Sequence, residues 1–207
     1  MSLPSLPATP APVDADGWWP GARRYDSPHH DPRPDPDDIT LLVIHNISLP
    51  AGCYGGPHVS DLFTGRIDYN IDPSFADLRG LKVSSHFFIR RDGRVLQYVA
   101  AGERAWHAGR SAFRGRERCN DFSIGVELEG SDDTPFEAAQ YRALAALTAA
   151  LRQRYRLTEV RGHEHIAPGR KTDPGPMFDW KYYQKLLRNQ AMLVDASAEL
   201  GFPIGLL

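Results

Sequence analysis

Cysteine is scarce in this sequence. Cys53 and Cys119 are the only two among 207 residues. They lie far apart and make no Cys-x-x-Cys pair, and two scattered thiols suit a reducing compartment better than a disulfide framework. Long apolar runs are also missing, and no stretch reaches the length needed to cross a bilayer. Lys and Arg total 24 against 26 Asp and Glu, for a net charge of −2. There is no basic excess of the kind that carries nucleic-acid binding. Met1 to Asp16 contain neither Lys nor Arg and no apolar core, while Pro4, Pro7, Pro10 and Pro12 would break a signal helix. The expectation is a cytoplasmic protein that binds neither membrane nor nucleic acid. No internal repeat is visible.

What is present suits one soluble domain. Hydrophobic residues make up 42% and charged residues 24%, enough to build a real core at this length. Residues 1–16, rich in Pro and Ala, are expected to be disordered. The domain proper is expected over 17–188, and 189–207 form a tail whose pattern says little. Within 17–38, Trp18 and Trp19 precede the run SPHHDPRPDPDD, which reads as an irregular arm held extended by its prolines.

Ile39 to Ile44 form a continuous apolar run, the signature of a strand buried on both faces, with His45 at its end. Residues 50–80 are rich in Gly, Pro and Asp without periodicity and read as a long loop region. Ser85–Ile89 and Val95–Val99 flank Asp92-Gly93, a hairpin signal. Phe122–Leu128 is a further strand. Thr134 can cap a helix with Pro135 at its first position and Glu137 closing a capping box. Leu144, Leu147, Leu151 and Tyr155 then mark its core face. Another helix starts near Asp179 and carries Trp180, Tyr183 and Leu187. The fold class is α/β, a mixed central sheet flanked by helices.

Three positions suggest a metal site: His45 at a strand end, His163 in Arg-Gly-His-Glu-His, and Asp173 ten residues later. Two imidazoles and a carboxylate make a catalytic zinc set with one position open. Spacing alone leaves rivals. A histidine at a strand end is by itself more often structural than a ligand. His165 competes with His163, and His86 lies on a strand where packing is the commoner role. Lys171, two residues before Asp173, could face the same side and stabilise an oxyanion. Glu127 and Glu129 share one strand face, and either could carry protons. A thiol amidase built on Cys53 or Cys119 is a different option, since the basic Arg116-Glu117-Arg118 run before Cys119 could lower its pKa.

The segments LLVIHNISLPAG, GRERCNDFSIGVELEG and GHEHIAPGRKTDPGPMFDW closely resemble those of the AmpD-type N-acetylmuramoyl-L-alanine amidases. That group is related to peptidoglycan recognition proteins and a phage lysozyme. The resemblance runs from about Gly17 to Leu187. It implies a single-domain mixed sheet with flanking helices and a Zn2+ held by His45, His163 and Asp173. It also implies Glu127 as general base and acid, with Lys171 on the transition-state charge. Asn46, Trp106, His107 and Arg118 would border the peptide groove. Lys82 stands where the family usually has Arg, at a site thought to hold the carboxylate of the third stem-peptide residue. Lys keeps that charge but loses the fork geometry. The implied substrate is a soluble 1,6-anhydro-muropeptide in cell-wall recycling, cut between the lactyl group and L-alanine by a monomer. A binding module without catalysis would lack one of the three ligands, and all three are present.

Overall fold

A computed structural model describes residues 10–191 and 200–203. Ten strands form in chain order: β1 (Ala22–Arg24), β2 (His30–Asp31), β3 (Leu41–Ile47), β4 (Phe87–Ile89), β5 (Val95–Gln97), β6 (Arg104–Ala105), β7 (Ala112–Phe113), β8 (Arg116–Glu117), β9 (Ser123–Glu129) and β10 (Glu159–Gly162). The helices are α1 (His58–Phe63), α2 (Ala138–Arg152), α3 (His163–Ile166) and α4 (Trp180–Ala191). The main sheet has the order β1-β5-β4-β9-β3-β10. Only the β4–β5 hairpin is antiparallel, and every other neighbour pair is parallel. The expected mixed sheet with flanking helices is therefore observed. None of the described helices is long and apolar enough to cross a membrane.

Alternation along the strands divides the sheet into two faces. Leu42, Ile44, Ile124, Val126 and Leu128 point to the side covered by α2 and α4, where Leu144, Leu147, Leu151 and Tyr183 complete the main core. Leu41, Val43 and His45 point to the other side, as do Glu127 and Glu129. That side is covered by loops, α1 and α3, and it carries the chemistry. The hairpin turn forms as the Asp-Gly signal implies. Gly93 takes a φ of +86°, and a Cβ there would sit 2.9 Å from the Ala139 carbonyl oxygen, so the turn needs glycine for its backbone and for its approach to α2.

Several expectations need correction. The β3 strand does not end at His45 but runs on to Ile47, because β9 pairs with it along that whole length. The helix expected from Thr134 begins at Ala138. Ser131 and Thr134 bridge each other in a tight turn, so Glu137 is the cap, and the Gln140 side chain accepts from its backbone N–H at 3.0 Å. The start near Asp179 is as expected, with its carboxylate accepting from the Tyr182 N–H at 2.8 Å. The short α1 and β10 were not legible, being too brief to show a period. Part of the arm joins the sheet as β1.

Over 10–16 the chain is ordered on the domain, against the expectation of disorder for 1–16. Val13 is buried in the main core. Trp19 Nε1 donates to the Ala11 carbonyl, and Gln153 and Arg154 donate to those of Pro10 and Ala15. These bonds hold the arm on the end of α2. Residues 1–9 lie outside the described residues. Part of the 189–207 tail packs on the domain. Gly201 pairs with Glu159 on β10, Leu200 is buried and Phe202 packs on Tyr183.

Gln140 supports this layer twice. Its oxygen caps α2, while its fully buried amide donates to the Ile89 and Glu129 carbonyls. Gln140→Ala removes the cap and strands two buried carbonyls. We expect a loss of about 2–4 kcal/mol in a urea titration, combining typical capping and buried-acceptor costs. A loss below about 0.5 kcal/mol would show that the α2 entry is not held this way.

Candidate metal centre and hydrolytic site

The site is one row across three parallel strands. His45 on β3 lies in register with Glu127 on β9. Ile44 pairs with Gly162 at the end of β10, which puts the next residues, His45 and His163, side by side. Asp173 enters on the loop after α3, and its carbonyl accepts from the Glu164 N–H at 2.9 Å. The separations are 3.0 Å from His45 Nδ1 to His163 Nδ1, 2.8 Å from His45 Nδ1 to Asp173 Oδ2, and 3.1 Å from His163 Nδ1 to that same oxygen. A tetrahedral zinc with bonds of about 2.0 Å sets its ligands about 3.3 Å apart. The three atoms therefore fit one face of such a tetrahedron, and the donor set suits zinc. Among the described residues this is the one such group of His, Cys, Asp or Glu side chains.

The far side of each imidazole is also engaged. His163 Nε2 lies 3.0 Å from the Ala108 carbonyl, so it carries the proton and leaves Nδ1 free to ligate. His45 Nε2 lies 3.0 Å from His107 Nδ1, and His107 Nε2 lies 3.2 Å from Ser123 Oγ. Burial, with His163 and Lys171 nearby, pulls the His45 pKa down to about 4, which keeps the ring neutral. Burial works against the Asp173 charge, yet the close contacts with His163 and His45 hold its carboxyl below the usual carboxylate range. Neutral imidazoles beside an ionised carboxylate make a ligand set that a dication satisfies.

The two strand carboxylates differ sharply. Glu129 accepts from the Gly55 N–H, Arg90 Nη1 and the Arg91 N–H, so its oxygens are occupied in holding the 50s loop. Glu127 has a buried Oε2 without a hydrogen-bond partner, and its Oε1 lies 4.0 Å from His45 Nδ1. Burial, reinforced by the Asp173 charge, pushes its pKa well above the usual range. A carboxyl so placed can hold a proton that an exposed carboxyl would already have lost. Lys171 is exposed at the rim, and its charge acts on both Glu127 and His45.

The remaining residues separate in the same way. His165 accepts from the Gly162 N–H and packs on Trp180, away from the ligand triangle. His86 is fully buried, accepts from the Gly125 N–H, and meets the Glu103 carbonyl. His107 stands behind His45. Trp106 stacks on His29 and donates to Asp31. Asn46 donates its amide to Asp132 and to the Pro174 carbonyl, one residue past Asp173. Arg118 lines a cavity of about 320 Å3 with Arg110, Ser111 and Arg170, beside α3, while Lys82 is an exposed loop residue. Cys119 is wholly buried, which pushes its thiol pKa up, so it is no nucleophile. Sequence reading missed Arg33. That buried guanidinium donates to the carbonyls of Gly102, Asn120, Asp121 and Ser123, tying the arm beneath the site. Lying in a Pro/Asp run, it gave no periodic signal.

Comparison with known proteins places the chain in a family. The profile of the N-acetylmuramoyl-L-alanine amidase family matches residues 35–176. The chain is 56% identical over 174 residues to the 1,6-anhydro-N-acetylmuramyl-L-alanine amidase AmpD of Citrobacter freundii, covering 83% of this chain and 93% of that one. A crystal structure of a selenomethionine AmpD derivative superposes with a TM-score of 0.82 at 55% identity, over 84% of this chain and 98% of that one. The Escherichia coli amidase AmiD, solved with the substrate anhydro-N-acetylmuramic acid-L-Ala-D-γ-Glu-L-Lys, gives 0.53 at 35% identity, over 72% and 57% of the two chains.

The partnerless Glu127 carboxyl has a measurable signature. Its folded pKa is raised, so the metal-free protein carries a stability contribution that is intact below pH 4.5, the ordinary value, and is lost as pH rises and the buried group must ionise. Glu127→Gln lacks this term. In urea titrations with chelator, the variant should gain on wild type as pH rises above 4.5. A wild type that instead gains on the variant would show Glu127 to be stabilised as a carboxylate.

Proposed function

The chain belongs to the N-acetylmuramoyl-L-alanine amidase family, and we propose that one zinc ion, held by His45, His163 and Asp173, serves its hydrolysis of soluble 1,6-anhydro-muropeptides in the cytoplasm. The bond cut joins the lactyl carbonyl of anhydro-N-acetylmuramic acid to L-alanine, as part of peptidoglycan recycling. The observation that carries the metal is the mutual approach of three ligating atoms to within 3.1 Å. The substrate rests on the activity for which the similar Citrobacter freundii enzyme is named. Two free thiols, one of them buried, are in keeping with a reducing compartment.

Bound zinc supplies a Lewis acid for the scissile carbonyl and makes water nucleophilic near neutral pH. The chain's own groups do the rest. Glu127 takes the proton of the attacking water and returns it to the leaving amine of L-alanine. Its raised pKa suits both halves of that transfer. The Lys171 ammonium stands at the rim to balance the oxyanion as it develops. Asn46 holds the backbone beside Asp173 and, with Trp106 and His107, borders the peptide groove. Arg118 and Lys82 supply charge to the peptide carboxylates, Lys82 without the two-pronged fit of Arg.

Mass spectrometry of a defined anhydro-muropeptide should show free tripeptide and the anhydro sugar, and a chelator should abolish both products. Sugars separated from one another with peptide still on muramic acid would overturn the reading. His163→Ala should lose zinc in elemental analysis while His165→Ala keeps it. The converse would move the ligand by two residues. Lys171→Met should keep its zinc and lose roughly a hundred- to a thousand-fold in turnover, the usual cost of one oxyanion charge. Glu127→Ala should lose roughly a hundred- to ten-thousand-fold, and Glu129→Ala should retain its proton chemistry. A dead Glu129→Ala beside an active Glu127→Ala would reverse the two roles.

A further inference from the structure

Both imidazole ligands lean on one dipeptide. His107 meets His45 Nε2 through its ring, and Ala108 meets His163 Nε2 through its carbonyl, each at 3.0 Å. The dipeptide lies on no regular element, so strand pairing does not fix it. Two side chains do: Arg170 Nη2 donates to the Ala108 carbonyl at 2.8 Å, and Asn120 takes both backbone N–H groups. Asn120 Oδ1 accepts from the His107 N–H at 3.2 Å and from the Ala108 N–H at 2.8 Å. Asn120 is itself buried. Its position in the turn at Cys119–Asp121 is secured by its own backbone carbonyl, which accepts from Arg33 at 2.9 Å.

The sheet leaves room for this arrangement. Gly125 sits on β9 under the His107 ring, and a Cβ there would come within 2.5 Å of His107 Cγ. No real contact of that kind survives, so the ring occupies the space that the missing side chain leaves. The His107 Nε2 contact to Ser123 Oγ, two residues back on that strand face, sets the far edge of the ring. Backbone, ring plane and ring rotation are thus each fixed by a separate contact.

We infer that Asn120 is a positioning residue for the metal centre, which through the His107–Ala108 dipeptide orients both His45 and His163 toward the ion. The inference rests on the zinc reading above and extends it to a residue that touches neither metal nor substrate. Outer contacts of this kind typically carry roughly ten- to a hundred-fold in metal affinity. One amide oxygen here bears on both ligands, with Arg170 sharing the hold on Ala108, so its loss should fall within that range.

The test is competition for zinc between the folded protein and a chromophoric chelator, beside thermal melting of the metal-free form. Asn120→Ala should weaken zinc binding roughly ten- to a hundred-fold. Asn120→Asp keeps the acceptor oxygen and should stay within a few-fold of wild type. His107→Phe keeps the ring volume without its nitrogens and should weaken binding through His45 alone, so by less than Asn120→Ala. Thr148→Val, which breaks a buried hydrogen bond to Tyr183 on the opposite sheet face, should lower the melting temperature and leave zinc affinity unchanged. Wild-type affinity in Asn120→Ala overturns the inference, as does a loss in Thr148→Val equal to that in Asn120→Ala. If Asn120→Ala does not fold, His107→Phe decides, and unchanged affinity there overturns it. A wild type that holds no zinc overturns the reading of the metal centre itself, and this inference with it.

Discussion

Three lone-pair donors forced together out of water organise this molecule. Imidazole nitrogens and a carboxylate oxygen repel one another unless a proton or a cation lies between them, and one proton can bridge only one pair. The fold holds His45, His163 and Asp173 within 3.1 Å all the same. The cost of that convergence in the metal-free chain is met by the surrounding sheet, whose cores pack on both faces. A dication turns the same repulsion into attraction, so fold and metal affinity are two accounts of one arrangement.

Parallel pairing is what makes the convergence possible. Adjacent parallel strands end at the same side of a sheet, so residues at their carboxyl ends gather without long side chains reaching for one another. Here β9, β3 and β10 deliver Glu127, His45 and His163 in a row. The order along that row also divides the labour. His45 and His163 occupy the end nearest the loop that brings Asp173, and Glu127 stands one strand away, near enough to feel the Asp173 charge yet outside the triangle of the other three.

Much of this was legible in the residues. The apolar run before His45 gave β3, the Asp-Gly pair gave the hairpin, and the alternation in FSIGVEL put Glu127 and Glu129 on one face. Choosing between those carboxylates was beyond any pattern, because the choice depends on Arg90 and on Gly55 and Arg91, which are distant in sequence and close to Glu129 in space. His163 and His165 were separated for a similar reason: the turn of α3 sends one imidazole to Asp173 and the other to Trp180. The misplaced start of α2 is local. Thr134 has the chemistry of a cap, but it is spent in a bridged turn with Ser131, and the cap passes to Glu137. Asn120 and Arg33 left no trace, since a single polar residue in a loop has no period to betray it.

The short stretch from Leu200 to Pro203 bears on how the molecule behaves in a crowd. An open sheet has two bare edges, and each can template another chain. On one side Gly201 takes up the β10 hydrogen bonds, receiving from the Val160 N–H and donating to the Thr158 carbonyl, each at 2.8 Å. On the other, β1 is only three residues long and presents exposed Arg23 and Arg24, a charged and abbreviated edge. Short, charged or already paired edges of this kind are the ones natural sheets use against edge-to-edge pairing. Among the described residues, the sheet that gathers His45, His163 and Glu127 therefore has one edge partly taken by its own chain and another that is short and charged.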